Sequence, residues 1–479
     1  MNKSALPWLA IVTLAACTGG CAVGPDYQRP PLPETKAYTR TPLTSTAAAA
    51  GDVQHFDSGA KVPAQWWQAF GSPEINWLVE HAFRHSPTLE AAKATLRQAQ
   101  ENRAAQYASY FPAVQANYSA SRQRDPVGTI SPTLDSGDAI YTLHTAQLSV
   151  SYTPDVFGLN RRAVESLAAQ EAGQRFELDA AYTTLAANIV STAIQLAALE
   201  AQLRAAQTAS AAAHNVSALV QQQLTAGAVS GLDVAAQDAA AAQADAAIPP
   251  LEKQLEQTRN LLATLVGEPP DGIDIHINID SLKLPERLPL SLPSTLIETR
   301  PDVRAAEAQV QAASADVGVA IASRLPQFSI TAAYGGTATQ FSKMFSDGNI
   351  FWSLLGGVTQ PIFDFGALKH RQGAAEAALE QAIAQYRQTV LSAFQNVADS
   401  LYALDADAKG LQAAQRAEIA AKKTRDLAQI QLDAGAINRL TLLGAEQAYQ
   451  EAKLARIQAQ ADRFTDTAAL YQSLGGTLD

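Results

Sequence analysis

Two stretches of this chain, SPTLEAAKA at 86–94 and RPDVRAAEA at 300–308, repeat one pattern 214 residues apart. Under that offset Pro87 meets Pro301, Ala91 meets Ala305, Ala92 meets Ala306, Ala94 meets Ala308, Ser109 meets Ser323 and Pro112 meets Pro326. Chance likeness between helices would not hold two prolines in one register. A second block aligns at an offset of 208, where Phe157-Gly158 meets Phe365-Gly366, Ala226-Gly227-Ala228 meets Ala434-Gly435-Ala436, and Leu232 meets Leu440. The six-residue difference between the offsets falls between Pro112 and Phe157 and predicts a loop that is shorter in the second copy. A period near 210 is far longer than a solenoid unit of about 20–50 residues. The chain is therefore two similar halves, each a full supersecondary assembly.

Each half carries the same signals in the same order. A helix is predicted over 87–110 and again over 301–324, each stopped by a proline that cannot continue it. Period-2 alternation follows. In the first copy Val114, Ala116, Tyr118 and Ala120 alternate with Gln115, Asn117, Ser119 and Ser121; in the second, Phe328, Ile330, Ala332 and Tyr334 alternate with Gln327, Ser329 and Thr331. These are strand patterns. Strands are expected at about 112–122 and 140–154, and at about 326–336 and 350–363, the last alternating least cleanly. A face of uncharged polar residues opposite an apolar face suits a transmembrane barrel around water, although a half-exposed soluble sheet has the same period.

After each strand pair comes Phe-Gly and then a long run, 159–226 or 367–434, with no proline. Leu178, Leu185, Ile189, Leu196, Leu199 and Leu203 have the spacing of a coiled-coil seam. A helix of that length extends roughly 100 Å at 1.5 Å per residue. Each run ends at a turn, Gly227 or Gly435, followed by a returning helix. The first return is interrupted at Pro249-Pro250, and the second runs from about Leu440 to Leu474.

Composition narrows the function. Apolar residues make up 47% but aromatics only 7%, and alanine is abundant, which favours helices whose backbones approach closely. A formal charge of −11 without a long basic run points away from nucleic acid. No run of 18 consecutive apolar residues follows residue 16, so membrane-crossing helices are not expected. The closed β-barrel is the other way to span a bilayer. Four strands are too few to close one, since known single-chain barrels have at least about eight. The strands must therefore pair with other copies, and a cyclic oligomer could close both a barrel of strands and a cylinder of helices.

The N-terminus reads as an export signal over 1–16, with Lys3 before the apolar run Ala5–Ala16. Leu14-Ala15-Ala16-Cys17 is similar to a lipoprotein cleavage box, and Cys21, led by Thr18-Gly19-Gly20, is the alternative lipidation site. Residues 17–65, rich in Pro, Thr and Ala, read as a lipid-anchored extended linker. The repeats are placed at 66–275 and 276–479.

Short motifs are spread along nearly the whole chain: Cys21 with GPDYQRP (24–30), WWQAF (66–70), SPTLEAA (86–92), YFPAV (110–114) and DVFG (155–158), then RPDVRAAEAQV (300–310), RLPQFS (324–329), PIFDFG (361–366) and LYQSLGG (470–476). By these motifs the chain resembles the TolC-type outer-membrane efflux proteins, and more narrowly the lipoprotein branch serving RND-type pumps, the NodT family. The resemblance implies a mostly α protein with a transmembrane β-barrel: a trimer whose twelve-stranded barrel in the outer membrane continues as a helical tunnel into the periplasm. An inner-membrane pump and a periplasmic adaptor would dock below. The family spacing before Pro25 favours Cys21, while the local cleavage box favours Cys17, which we prefer.

By the same resemblance the turns at 226–235 and 434–443 meet the adaptor and constrict the closed tunnel. Leu440 would form an apolar ring, with Thr441 and Gly444 beside it and Leu232 at the matching first-copy position. Relatives often carry an acidic residue at the position of Gly444. Asp233 could supply a carboxylate ring instead, or could simply be a helix-start carboxylate favoured by the dipole. Val229, Ser230, Ile437, Asn438 and Arg439 are candidate adaptor contacts. Two other readings compete: the same duct serving type I protein secretion, and a non-transport trimeric coiled-coil envelope protein, for which paired amphipathic strands have no use.

Nothing points to covalent chemistry or a cofactor. DFG at 364–366 lacks the glycine loop, lysine strand and catalytic loop of a kinase, and its counterpart at Phe157-Gly158 makes it a strand-to-helix corner. His81 and His85 have the i, i+4 spacing of a metal pair but no third ligand.

Overall fold

A computed structural model of the chain describes residues 22–31, 35, 37–48, 53–124 and 140–475. The expected signal over 1–16 and both cysteines, Cys17 and Cys21, lie outside the described residues. In chain order the elements are β1 (His55–Ser58), α1 (Pro73–His85), α2 (Pro87–Tyr107), β2 (Ala113–Arg124), β3 (Ile140–Tyr152), α3 (Leu159–Thr225), α4 (Gly231–Ala246) and α5 (Ile248–Val266). They continue with β4 (Arg287–Leu290), α6 (Pro293–Thr299), α7 (Pro301–Ala322), β5 (Gln327–Ala338), β6 (Ile350–Thr359), α8 (Ala367–Asp433) and α9 (Arg439–Ser473).

The duplication holds to the residue. Adding 208 to the ends of α3 gives the ends of α8, and both helices have 67 residues. Adding 214 to the ends of β2 gives those of β5. The hairpins share one register under the same two offsets. Ala113 pairs with Ser151; adding 214 and 208 respectively gives Gln327 and Thr359, which are paired in β5–β6. Since Arg124 still obeys the first offset and Ile140 begins the second block, the length difference narrows to the connection between them. The broken first return is α4 and α5, which meet at Ala247 ahead of Pro249-Pro250. The second return, α9, is one 35-residue helix.

The chain divides into two compact units. The first comprises Met1–Pro30, Leu96–Gly173 and Ala306–Gln385. It holds a four-stranded antiparallel sheet in the order β2-β3-β5-β6. Directly opposed residues share a face, and the registers sort the side chains. Val114, Tyr118, Val150, Leu148, Ala332, Tyr334, Leu354, Trp352 and Val358 fall on one face. The other carries Gln115, Asn117, Ser119, Ser149, Gln147, Thr145, Thr331 and Thr337, tied by Asn117 Nδ2 donating to Ser149 Oγ (3.1 Å) and a Thr145–Thr337 hydroxyl pair at 3.0 Å. Leu355 and Phe351 break the polar face in β6, the strand whose alternation is least regular in sequence. Among the described residues β2 and β6 each have one unpaired edge.

The segment 22–30 is seated in this unit. The Arg162 guanidinium donates to Asp26 Oδ1 (2.8 Å) and to the Val23 and Gly24 carbonyls, while Tyr27 and Arg29 both donate to Glu307. A Cβ on Gly24 would lie 2.5 Å from Gly318 Cα, so only glycine fits that approach.

The second unit comprises Pro31–Thr95, Gln174–Ala305 and Tyr386–Asp479. Its core includes buried alanines of α3 (Ala186, Ala193, Ala197) and an aromatic cluster. Trp66 stacks on Tyr471 (5.2 Å), Trp67 meets Phe83 edge-on (5.4 Å), and Phe70 meets Phe464 (6.2 Å). Within the segment read as extended linker, β1 pairs in parallel with β4. There Gln54 is fully buried and donates to Thr467 Oγ1 (3.2 Å) and the Pro285 carbonyl (3.3 Å). Among the described residues one helix, α3, contains an 18-residue window of mean hydropathy 1.3, apolar enough to cross a membrane, but that window is 67% buried by protein. It is a core helix made apolar by alanine and leucine.

Candidate functional site

The two turns closing the long helices share one backbone design. At the end of α3, Gly227 (φ 75°) donates to the Leu224 carbonyl at 2.9 Å and Ala228 to that of Gln223 at 2.8 Å. At the end of α8, Gly435 (φ 70°) donates to Leu432 at 2.9 Å and Ala436 to Gln431 at 2.8 Å. A left-handed glycine satisfying two orphan carbonyls is the Schellman stop. Two residues on, Ser230 caps α4 and Asn438 caps α9 from the same extended conformation.

The caps differ chemically. Ser230 and Asp233 form a reciprocal box: Asp233 N donates to Ser230 Oγ (3.4 Å), and Ser230 N donates to Asp233 Oδ2 (2.9 Å). The Ser230 hydroxyl also donates to that carboxylate (2.7 Å). These bonds, with the Arg439 charge nearby, hold the Asp233 carboxyl below its usual range. Asn438 Oδ1 instead accepts from Thr441 N (3.0 Å) and the Thr441 hydroxyl (2.8 Å), an uncharged cap.

The leucines after the caps point outward: Leu232 is 79% and Leu440 65% exposed, whereas Val234 and Leu442 two residues on are buried. Val229 and Ile437 are half-buried, Ser230 and Asn438 exposed. Arg439 donates to Gln223 Oε1 at 3.2 Å and so ties the second turn to the end of α3. Gly444 is exposed, and a Cβ there would meet nothing within 4 Å. All ten turn residues singled out in sequence thus gather at this paired end. Glu446 was not singled out; it is half-buried, and burial raises its pKa against the opposing charges of Arg425 and Arg439. Nothing in its helical spacing marks it.

Other polar clusters serve packing. His81 Nε2 meets Glu268 Oε1 at 2.8 Å, and His85 Nδ1 meets the His81 carbonyl at 3.0 Å. Ser210 and His214 both bond Asp245, linking α3 to α4, and no bond joins the hydroxyl to the imidazole as a charge relay requires. Asp364 of DFG accepts from Gly366 N (2.9 Å) and Leu368 N (2.8 Å) and caps α8.

Comparison with known proteins agrees with this architecture. The family model for outer membrane efflux proteins matches twice, over residues 78–268 and 292–476, once for each copy of the repeat. The pyoverdine export outer membrane protein OpmQ of Pseudomonas aeruginosa is 33% identical over 91% of this chain and 93% of its own length. The probable efflux pump outer membrane protein TtgC of Pseudomonas putida is 29% identical over 99% of this chain and 96% of its own. Among solved structures, the outer-membrane channel OprN superposes with a TM-score of 0.83 at 28% identity, covering 96% of this chain and all of OprN. The open state of the Neisseria gonorrhoeae channel MtrE gives 0.82 at 26% identity, over 96% and 99% of the two chains. With both copies matched and relatives aligned end to end, the chain belongs to the outer membrane efflux protein family.

Proposed function

We propose that this chain is one third of an exit duct through which a tripartite RND-type efflux system passes small molecules out of the cell. The observation that carries the reading is the four-stranded sheet with two open edges, apolar on one face and polar on the other. Backbone groups cannot stay unpaired in hydrocarbon. Three copies would bring twelve strands into a closed barrel with the apolar face to lipid and the polar face to water. Each repeat, 66–275 and 276–479, contributes one hairpin and one 67-residue helix. The duct is passive: it offers a wetted path, and the energy comes from the pump.

The paired turns form the periplasmic mouth. Leu440 supplies the apolar constriction, with Leu232, Thr441, Gly444 and Asp233 around it. Val229, Ser230, Ile437 and Asn438 offer the surface to the adaptor, and Arg439 holds the two turns together beneath it. A lipid on Cys17, or alternatively on Cys21, anchors the chain to the outer membrane; mass spectrometry of the mature N-terminus distinguishes them. Relatives that are outer-membrane parts of efflux pumps support the pump and adaptor as partners.

The test is reconstitution. Purified protein in a planar lipid bilayer should give discrete ion-conducting steps, and the gene should restore export in a strain whose own duct has been deleted. Purified chain that remains monomeric in detergent and passes no ions overturns the reading.

A further inference from the structure

The second unit holds a cavity of about 630 Å³ between α1, α3 and the single-turn helix Trp66–Phe70, a size typical of small-molecule sites. Trp67, Phe83 and Tyr182 line it beside Glu80 and Asp179, and among the described residues no basic side chain does. We propose that this cavity binds a soluble organic ammonium ion that also carries an uncharged oxygen. The ring faces and the two carboxylates hold the cation, and the Trp67 indole N–H donates to the oxygen. None of the turn residues takes part, so the inference stands or falls apart from the duct.

The two helices contribute by one rule. Glu80 and Phe83 are three residues apart on α1, and so are Asp179 and Tyr182 on α3. Side chains at that spacing are neighbours on one helix face, so each helix brings a carboxylate and a ring together. The rings meet nearly at right angles: Trp67 and Phe83 at 89° with centroids 5.4 Å apart, Phe83 and Tyr182 at 88° and 5.0 Å. Rings set this way form the walls of a box rather than a stack, and the face of each is electron-rich and attracts cations. Lys93 Nζ already lies 5.5 Å from the Tyr182 centroid, without lining the cavity.

Trp67 adds an independent observation. It is 2% exposed, and its Nε1 has no hydrogen-bond acceptor among the described residues. A buried donor left without a partner is costly, and an oxygen on the ligand satisfies it. A phospholipid headgroup fits less well, because its phosphate would meet two carboxylates.

The duplication shows that these groups are not demanded by the fold. The ends of α1 and α6 correspond at an offset of 214, and those of α3 and α8 at 208. The counterparts of Glu80 and Phe83 are Ser294 and Ile297, and those of Asp179 and Tyr182 are Arg387 and Val390. The second copy thus does without both acids and both rings, and carries a cation where the first has Asp179.

Full-length protein in maltoside micelles, dialysed against radiolabelled choline, should bind it saturably at one per chain, in the millimolar range or tighter. Glu80→Gln with Asp179→Asn, a nearly isosteric pair, should weaken binding about tenfold, and Tyr182→Leu by about as much. Light scattering and thermal melts show whether each variant keeps its assembly and fold. Tetramethylammonium, which lacks the oxygen, should bind several-fold more weakly than choline, and Trp67→Phe should erase that difference. The uncharged carbon isostere of choline should not compete. No saturable binding, binding unchanged in the amide pair, or equal competition by the isostere overturns the site. Tighter binding of glycerophosphocholine than of choline overturns the assignment to a free cation. Any of these leaves conductance and the duct untouched, while choline binding by protein that passes no ions removes the duct alone.

Discussion

The two copies of the repeat keep the same backbone and differ in what they bury. In the first copy Leu199 of α3 and Leu255 of α5 are buried core residues. At plus 208 the second copy has Asp407 in α8 and Arg463 in α9. The reason enters from outside the repeat: fully buried Gln54, from the segment before the first copy, accepts from Arg463 Nε at 3.4 Å. At these two positions the first copy is apolar, and the second has been refitted to receive the N-terminal segment. Likewise the first turn is capped by a charged box and the second by a neutral amide. Duplication preserves geometry, and chemistry drifts wherever each copy acquires a neighbour of its own.

The largest expected consequence lies at the turns. If the second turn constricts the mouth, Leu440→Gly should raise conductance of the reconstituted trimer several-fold, and Leu232→Gly much less. Equal effects would mean that both turns gate, and no effect of either would remove the constriction. Next comes the charged core. Burial and the neighbouring Asp466 push Asp407 up to about 7, so its proton is bound more tightly in the folded state than in the unfolded. Stability should therefore fall as pH rises from about 4 to 8. Asp407→Asn should flatten that fall and stabilise the protein at pH 8 by about 1 kcal/mol, a value kept small because solvent screens this half-exposed site. Thermal melts at pH 5 and 8 check it. The smallest effect separates the caps. Ser230→Ala and Asn438→Ala should each cost about 1 kcal/mol of local helix stability, read by hydrogen exchange. Only the first turn should loosen in acid: the lowered pKa of Asp233 means that its contribution is present above the unfolded value of 3.8 and disappears as pH falls through the folded one, whereas the raised pKa of Glu446 beside the second turn acts in the opposite direction. Acid loosening of both turns alike would show that the box does not distinguish them.

Much of this was legible in sequence because it is periodic or punctuated. Strand alternation placed the hairpins within a few residues, proline-free runs placed α3 and α8, and Gly227 and Gly435 marked the stops. The helix α1, on which His81 and His85 sit, carries local signals: Ser72 accepts from Ile75 N, Pro73 opens the first turn, and Ile75, Leu78, Val79 and Ala82 form the buried stripe. The parallel pair of β1 and β4 had no such signal, being two four-residue strands separated by more than two hundred residues. GPDYQRP was recognisable as a motif, but its physical cause is long-range: Arg162 and Glu307 hold it, and Gly318 leaves no space beside Gly24. The turn residues were found as a group, while the role of Arg439 as a tie to Gln223 depends on an approach between helices that spacing alone does not reveal.

The open edges of the sheet carry a last consequence. Hydrocarbon gives a lone β2 or β6 edge no donor or acceptor, and in water such an edge invites pairing with any strand it meets. A single protomer is thus poorly suited to either medium. If the strands close only across copies, tolerance of heat or denaturant should be a property of the population, rising with protein concentration as in obligate assemblies, and the cell's difficulty in making this protein should be one of numbers: enough copies, close together, before any of them commits to the bilayer.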